Sequence, residues 1–132
     1  MNLPIPNPFK VEVEAGSSDP IHIIRVSGEL RRGRYLDNDV SWKPYINNAK
    51  NIARTKLVIF DLVDLTYWDT RGIAEVVGTV ISINKDHPMR CGIIAPKDSH
   101  MYVLAKTKYV EIGTDKVPWK NTKEELLKFM GQ

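Results

Sequence analysis

A chain of 132 residues is the size of one domain, and 42% hydrophobic with 27% charged residues fits a compact globular protein, not a disordered or repetitive one. Nineteen basic against sixteen acidic residues leave a formal charge of +3, too mild by itself to argue for direct nucleic-acid binding. The apolar run Leu57 to Phe60, with Leu62 and Val63 beyond it, falls far short of the roughly 18 to 20 residues of a membrane helix, so no membrane span is expected.

Residues 1 to 10 (MNLPIPNPFK) carry Pro4, Pro6 and Pro8 and no strand or helix period, which predicts an extended N-terminal arm. They also lack the basic start of a signal peptide, so a cytoplasmic location is expected. Residues 11 to 130 are expected to form one domain. Val11 to Glu14 alternates apolar and acidic residues as an edge strand does, and Gly16-Ser17-Ser18-Asp19-Pro20 reads as a turn. Ile21 to Val26 is the returning strand of a hairpin, with Ser27-Gly28 ending it.

Trp42, Tyr45, Ile46, Ala49, Ile52 and Ala53 recur at helical spacing. Proline is tolerated only in a first turn, so Ser41 as N-cap with Pro44 at the third helical position is the cheapest start. Lys56 to Leu62 is rich in β-branched and aromatic residues without alternation, the pattern of a central strand buried on both faces. After a short loop, Thr70 to Ile83 puts Ile73, Val76, Val77, Val80 and Ile81 on one helix stripe. Arg90 to Ala95 is a further buried strand, and its Cys91 reads as a small buried hydrophobe. Met101, Val103 and Leu104 open a short third helix, and Tyr109 to Ile112 is expected as a short last strand. Thr122-Lys123-Glu124-Glu125 has the S/T-x-x-E spacing of a capping box and starts a fourth helix. The order β-β-α-β-α-β-α-β-α predicts an α/β protein with a mixed, mostly parallel sheet of four to five strands and about four helices.

Enzyme chemistry finds little support. His22, His87 and His100 lack the paired spacings of zinc ligands, and neither a G-x-x-x-x-G-K phosphate loop nor a G-x-S-x-G elbow occurs. Asp61, Asp64 and Asp69 suggest an acidic pocket of the receiver kind, but the loop after Val26 is basic where such a pocket needs acids. The expectation is a non-enzymatic protein with no catalytic residue, no metal and no cofactor.

The string from Leu57 to Gly72, LVIFDLVDLTYWDTRG, resembles a STAS domain, the fold of bacterial anti-sigma-factor antagonists. Asp61-Leu62, Leu65, Tyr67 and Asp69-Thr70-Arg71-Gly72 stand where that family has an Asp-Leu pair, a short hydrophobic turn and an Asp-Ser-Ser-Gly motif opening a helix. Ser27-Gly28-Glu29-Leu30 resembles the Gly-Glu-Leu after the family's second strand. The resemblance implies a STAS domain over residues 11 to 130, phosphorylated at Thr70 and acting in transcriptional signalling. The implied partners are an anti-sigma factor that is a histidine-kinase-like serine/threonine kinase, and a PP2C-type phosphatase. The implied binding surface comprises Asp69, Thr70, Arg71 and Gly72 with Glu29 and the basic loop Arg31, Arg32 and Arg34.

A phosphate at the start of a helix sits near free N–H groups and the positive end of the dipole, so modification at Thr70 would change a surface without unfolding the domain. Helix capping by Asp69 or Thr70 is an equally simple use of these residues. Arg71 replaces the family's small hydroxyl residue, and Arg31, Arg32 and Arg34 stand where the family has an Asp and small residues. These departures favour an acidic partner surface, or for Arg71 a clamp on phosphate. Two other roles stay open: an unphosphorylated STAS accessory subunit of a membrane transporter, or a small α/β ligand-binding protein. Homo-oligomerisation is open too.

Overall fold

The apolar patterning places most of the backbone directly. The computed structural model describes residues 10–15, 21–30, 46, 47, 49, 55–68, 70–86 and 89–131. Strand β1 (Lys10–Ala15) pairs antiparallel with β2 (Ile21–Leu30), Val11 opposite Val26 and Ala15 opposite His22, as a hairpin requires. The residues expected to form the turn (16–20), the rest of the expected arm (1–9), and Ser41 and Pro44 lie outside the described residues, while Lys10, expected in the arm, opens β1. Ile46, Asn47 and Ala49 are helical, and Ile46 and Ala49 are buried in the core, as their spacing predicts.

β3 (Leu57–Asp61) runs parallel to β2 on one side and to β5 (Arg90–Ile94) on the other. Being central, it buries both faces: Val58 and Phe60 enter one cluster, Leu57 and Ile59 another. The larger cluster lies under α1 (Thr70–Asp86), which contributes Ile73, Val76, Val77, Val80 and Ile83. The smaller one is closed by Leu126 of α3 (Lys123–Phe129), packed with Ile23, Leu57, Ile59 and Ile94. The Thr122 hydroxyl caps α3 by accepting from the Glu125 N–H at 3.1 Å, half of the expected capping box.

In three places the fold departs from the sequence expectation. First, β2 does not end at Ser27-Gly28. Gly28, with φ of 85°, sits at a register shift, and the strand runs on to Leu30. Positive φ carries no penalty for glycine, so the chain bulges and continues. Second, the stretch after Asp61 is not all loop: it turns at Val63 and Asp64 and forms β4 (Leu65–Trp68), which pairs parallel with the β2 extension. β4 thus takes over β3's place beside β2. Third, Tyr109 to Ile112 is not a strand. Ile112 makes one isolated bridge with Val117, and the last strand is β6 (Trp119–Lys120), parallel to β5. Trp119 explains the preference: wholly buried, it donates from Nε1 to the Ala95 carbonyl at 3.1 Å and stacks edge-on against Tyr102 at 5.2 Å.

The sheet order is β1-β2-β3-β5-β6 with β4 on β2, antiparallel only at β1. The short helix α2 (His100–Lys108), capped by Ser99, buries Ala105 but leaves Val103 and Leu104 exposed. At the far end of α1, Asn84 ties helix to sheet. Its amide donates to the Cys91 and Lys116 carbonyls, both at 2.9 Å, and its oxygen accepts from the Cys91 N–H at 2.8 Å. α1 therefore extends past Ile83 to Asp86.

Candidate partner-binding site

Because β2, β3, β4, β5 and β6 all point the same way, the segments that follow them gather at one edge of the sheet, where α/β proteins place functional loops. The pairing of β2 with β4 brings the two sequence motifs together. Glu29 stands opposite Tyr67 and Leu30 opposite Trp68, and Thr70 begins α1 two residues further on. The Thr66 hydroxyl donates to the Gly28 carbonyl at 3.0 Å, and the Gly28 N–H donates to Asp64 O at 3.4 Å, pinning the bulge to the turn before β4. Thr70, Arg71 and Gly72 form the first turn of α1, with Gly72 buried. Asp69, Arg31, Arg32 and Arg34 lie outside the described residues.

Asp61, in the Asp-Leu pair, is built into the turn. Its carboxylate accepts from the Val63 N–H at 3.1 Å and pairs with Arg25 Nε at 3.5 Å, directly across the parallel ladder. Such a carboxylate fixes the path from β3 to β4.

The sequence reading missed a basic cluster on the same edge. Lys97 follows β5 and Lys120 ends β6, so the pairing of β5 with β6 brings them side by side, and Lys106 on α2 adds its charge to theirs. Partial burial, then the charge of Lys120, lowers the Lys97 pKa from its ordinary value, with Lys106 adding to the effect and Glu125 opposing it. A crevice of about 480 Å³ opens beside it, lined by Val63, Pro96, Lys97, Asp98 and Asn121. No spacing in the sequence signals this grouping.

Elsewhere, the Cys91 thiol is wholly buried and desolvation pushes its pKa far up, which makes it a packing residue. Among the described residues no group of three His, Cys, Asp or Glu side chains is placed to hold a metal ion, and no helix is long and apolar enough to cross a membrane.

No protein-family model matches the chain, and no curated protein sequence matches it significantly. Solved structures do. An anti-sigma factor antagonist from Mycobacterium paratuberculosis superposes with a TM-score of 0.61 at 16% identity, covering 98% of this chain and 100% of that one. The anti-sigma factor antagonist SpoIIAA in its unphosphorylated form gives 0.58 at 18% identity, over 92% of this chain and 98% of that one. A DUF3478-family protein with a SpoIIAA-like fold from Shewanella loihica gives 0.52 at 14% identity over 98% of both chains. The chain therefore has a STAS-like fold, as its two motifs imply.

Proposed function

We propose that the chain is a non-enzymatic regulatory module, similar to an anti-sigma-factor antagonist, that binds an anti-sigma factor of the serine/threonine-kinase type and is switched by phosphorylation of Thr70. The observation that carries this reading is the β2–β4 pairing, which puts Gly28-Glu29-Leu30 beside the strand that delivers Thr70 to the start of α1. The positive end of the helix dipole at a first helical turn favours negative charge, so a phosphate there is accommodated without unfolding the helix. The new charge, about −1.5 to −2, then acts on the partner and not on the core. A PP2C-type phosphatase would reset the switch.

Incubation with the cognate kinase and ATP, followed by mass spectrometry, tests the reading. Label on Thr70 and its loss in Thr70→Ala are expected. Thr70→Asp should weaken kinase binding by at least about tenfold, roughly 1.4 kcal/mol, with little change in melting temperature. Modification of Thr70→Ala at the parental rate would refute the assignment. Arg71, in the same turn, is proposed to contact an acidic partner, joined by Arg31, Arg32 and Arg34. Arg71→Ser should then weaken the unmodified complex, by a factor that shrinks as salt is raised. A salt-independent affinity equal to the parent's would remove Arg71 from the interface.

A further inference from the structure

Lys97, Lys106 and Lys120 are separate in sequence yet converge over a stiff platform. The exits of β5 and β6 are tied twice: the Ala95 N–H donates to the Lys120 carbonyl at 3.0 Å, and the Lys97 N–H donates to Asn121 Oδ1 at 2.7 Å. These backbone ties set Lys97 and Lys120 side by side at the strand exits, and the charges of Lys120 and Lys106 both act on Lys97. Gathered ammonium groups repel one another, so the arrangement attracts a negative group that relieves them. Among the described residues, Glu125 is the acid that acts on Lys97. Val63, 47% exposed, stands at the rim of the adjoining crevice and supplies an apolar contact.

Two features favour a protein over a nucleic acid. The aromatic rings beside the cluster are already engaged: Lys120 Nζ lies 4.3 Å from the Phe129 ring centre, while Tyr102 packs on Trp119 and has Lys106 Nζ at 6.0 Å. Single-stranded bases need open ring faces to stack on. Asp98 in the crevice, and Glu125, whose charge acts on Lys97, would also repel a continuous phosphate backbone, whereas discrete carboxylates on a protein can be placed between them.

We propose that the Lys97, Lys106 and Lys120 cluster, with Val63 beside it, docks an acidic protein segment that also carries an apolar side chain. The inference rests on reading the chain as a protein-binding module, but not on phosphorylation of Thr70.

The probe is a synthetic peptide of about a dozen Asp, Glu and Leu residues, titrated into the isotope-labelled full chain and followed by amide chemical shifts. Shifts should concentrate at Val63, Lys97, Lys106 and Asn121. Lys97→Gln/Lys120→Gln should bind about five- to tenfold more weakly at low salt, as two rim charge pairs would dictate, and the gap should close at high salt. The melting temperature should change little, because relief of like-charge repulsion is offset by loss of the Lys120 contact with the Phe129 ring. Absent shifts, shifts centred elsewhere, equal affinity in the double variant, or tighter binding of a DNA duplex of matched charge would each overturn the proposal. If the kinase labels Thr70 while the double variant binds the peptide like the parent, the docking surface fails and the switch stands. The reverse pair of results removes the switch alone.

Discussion

Replacing Gly92 with alanine probes how α3 is seated on the sheet. A Cβ at this position in β5 would lie 2.9 and 3.0 Å from the two Cδ atoms of Leu126 and 3.3 Å from Met130 Sδ, against about 3.5–4.0 Å for comfortable carbon contacts. Methyl ends can usually swing aside, but Leu126 is wholly buried and packed with Ile23, Leu57, Ile59 and Ile94. The strain, or the shift of α3 that relieves it, should cost about 1–3 kcal/mol. Loss of glycine's freedom in the unfolded chain returns about 0.4–1 kcal/mol, so the net cost of Gly92→Ala alone lies anywhere from about zero to about 2.6 kcal/mol and does not isolate the clash. A double-mutant cycle removes that ambiguity, because the unfolded-state gain belongs to position 92 alone and cancels. Leu126→Ala should cost about 2–5 kcal/mol through lost burial and an unfilled cavity. In Gly92→Ala/Leu126→Ala the new methyl occupies part of that cavity without a clash. The double variant should therefore be more stable than the sum of the single effects by on the order of 1 kcal/mol. Urea unfolding of the four proteins, with equal m-values, measures the coupling. Additivity within about 0.3 kcal/mol would refute the contact.

Val77→Asp would place a carboxylate at a site with no exposure, among apolar neighbours of the larger core. It should cost at least about 3 kcal/mol, and a parental urea midpoint would show that the α1 face is misassigned. His22 is 3% exposed, neither ring nitrogen has a hydrogen-bond partner among the described residues, and desolvation lowers its pKa from 6.5. Its contribution to stability should be full above about pH 6.5 and fall as pH drops through that value towards the folded pKa, since the unfolded chain takes up the proton more readily. His22→Leu should remove this part of the acid-side slope in urea midpoints measured from pH 7.5 to 5, and an unchanged slope would assign it to other groups.

The hydrophobic pattern by itself determined the parts of the fold whose burial repeats along the chain. The unbroken run at Leu57 to Phe60, short and rich in β-branched and aromatic residues, reads as a strand covered on both faces, and the stripe from Ile73 to Val80 as a helix with one buried side. The Thr122 cap was readable for the same reason, being a contact between residues three apart. The STAS-like fold was legible because two short motifs stood in the right order, although neither shows in the sequence that it touches the other. Tertiary structure decided whatever depends on partners distant in the chain. β4 has only four residues and no periodic signal, and it is a strand because the bulge at Gly28 lets β2 continue alongside it. β6 formed at Trp119, not at Tyr109, because the large indole could be buried against β5 with its N–H bonded to Ala95. Gly92 is small for the sake of Leu126, 34 positions away. Lys97 and Lys120 meet for a similar reason: parallel pairing of β5 with β6 overrides a separation of 23 residues, and no local pattern records which side chains two strands will carry to the same edge.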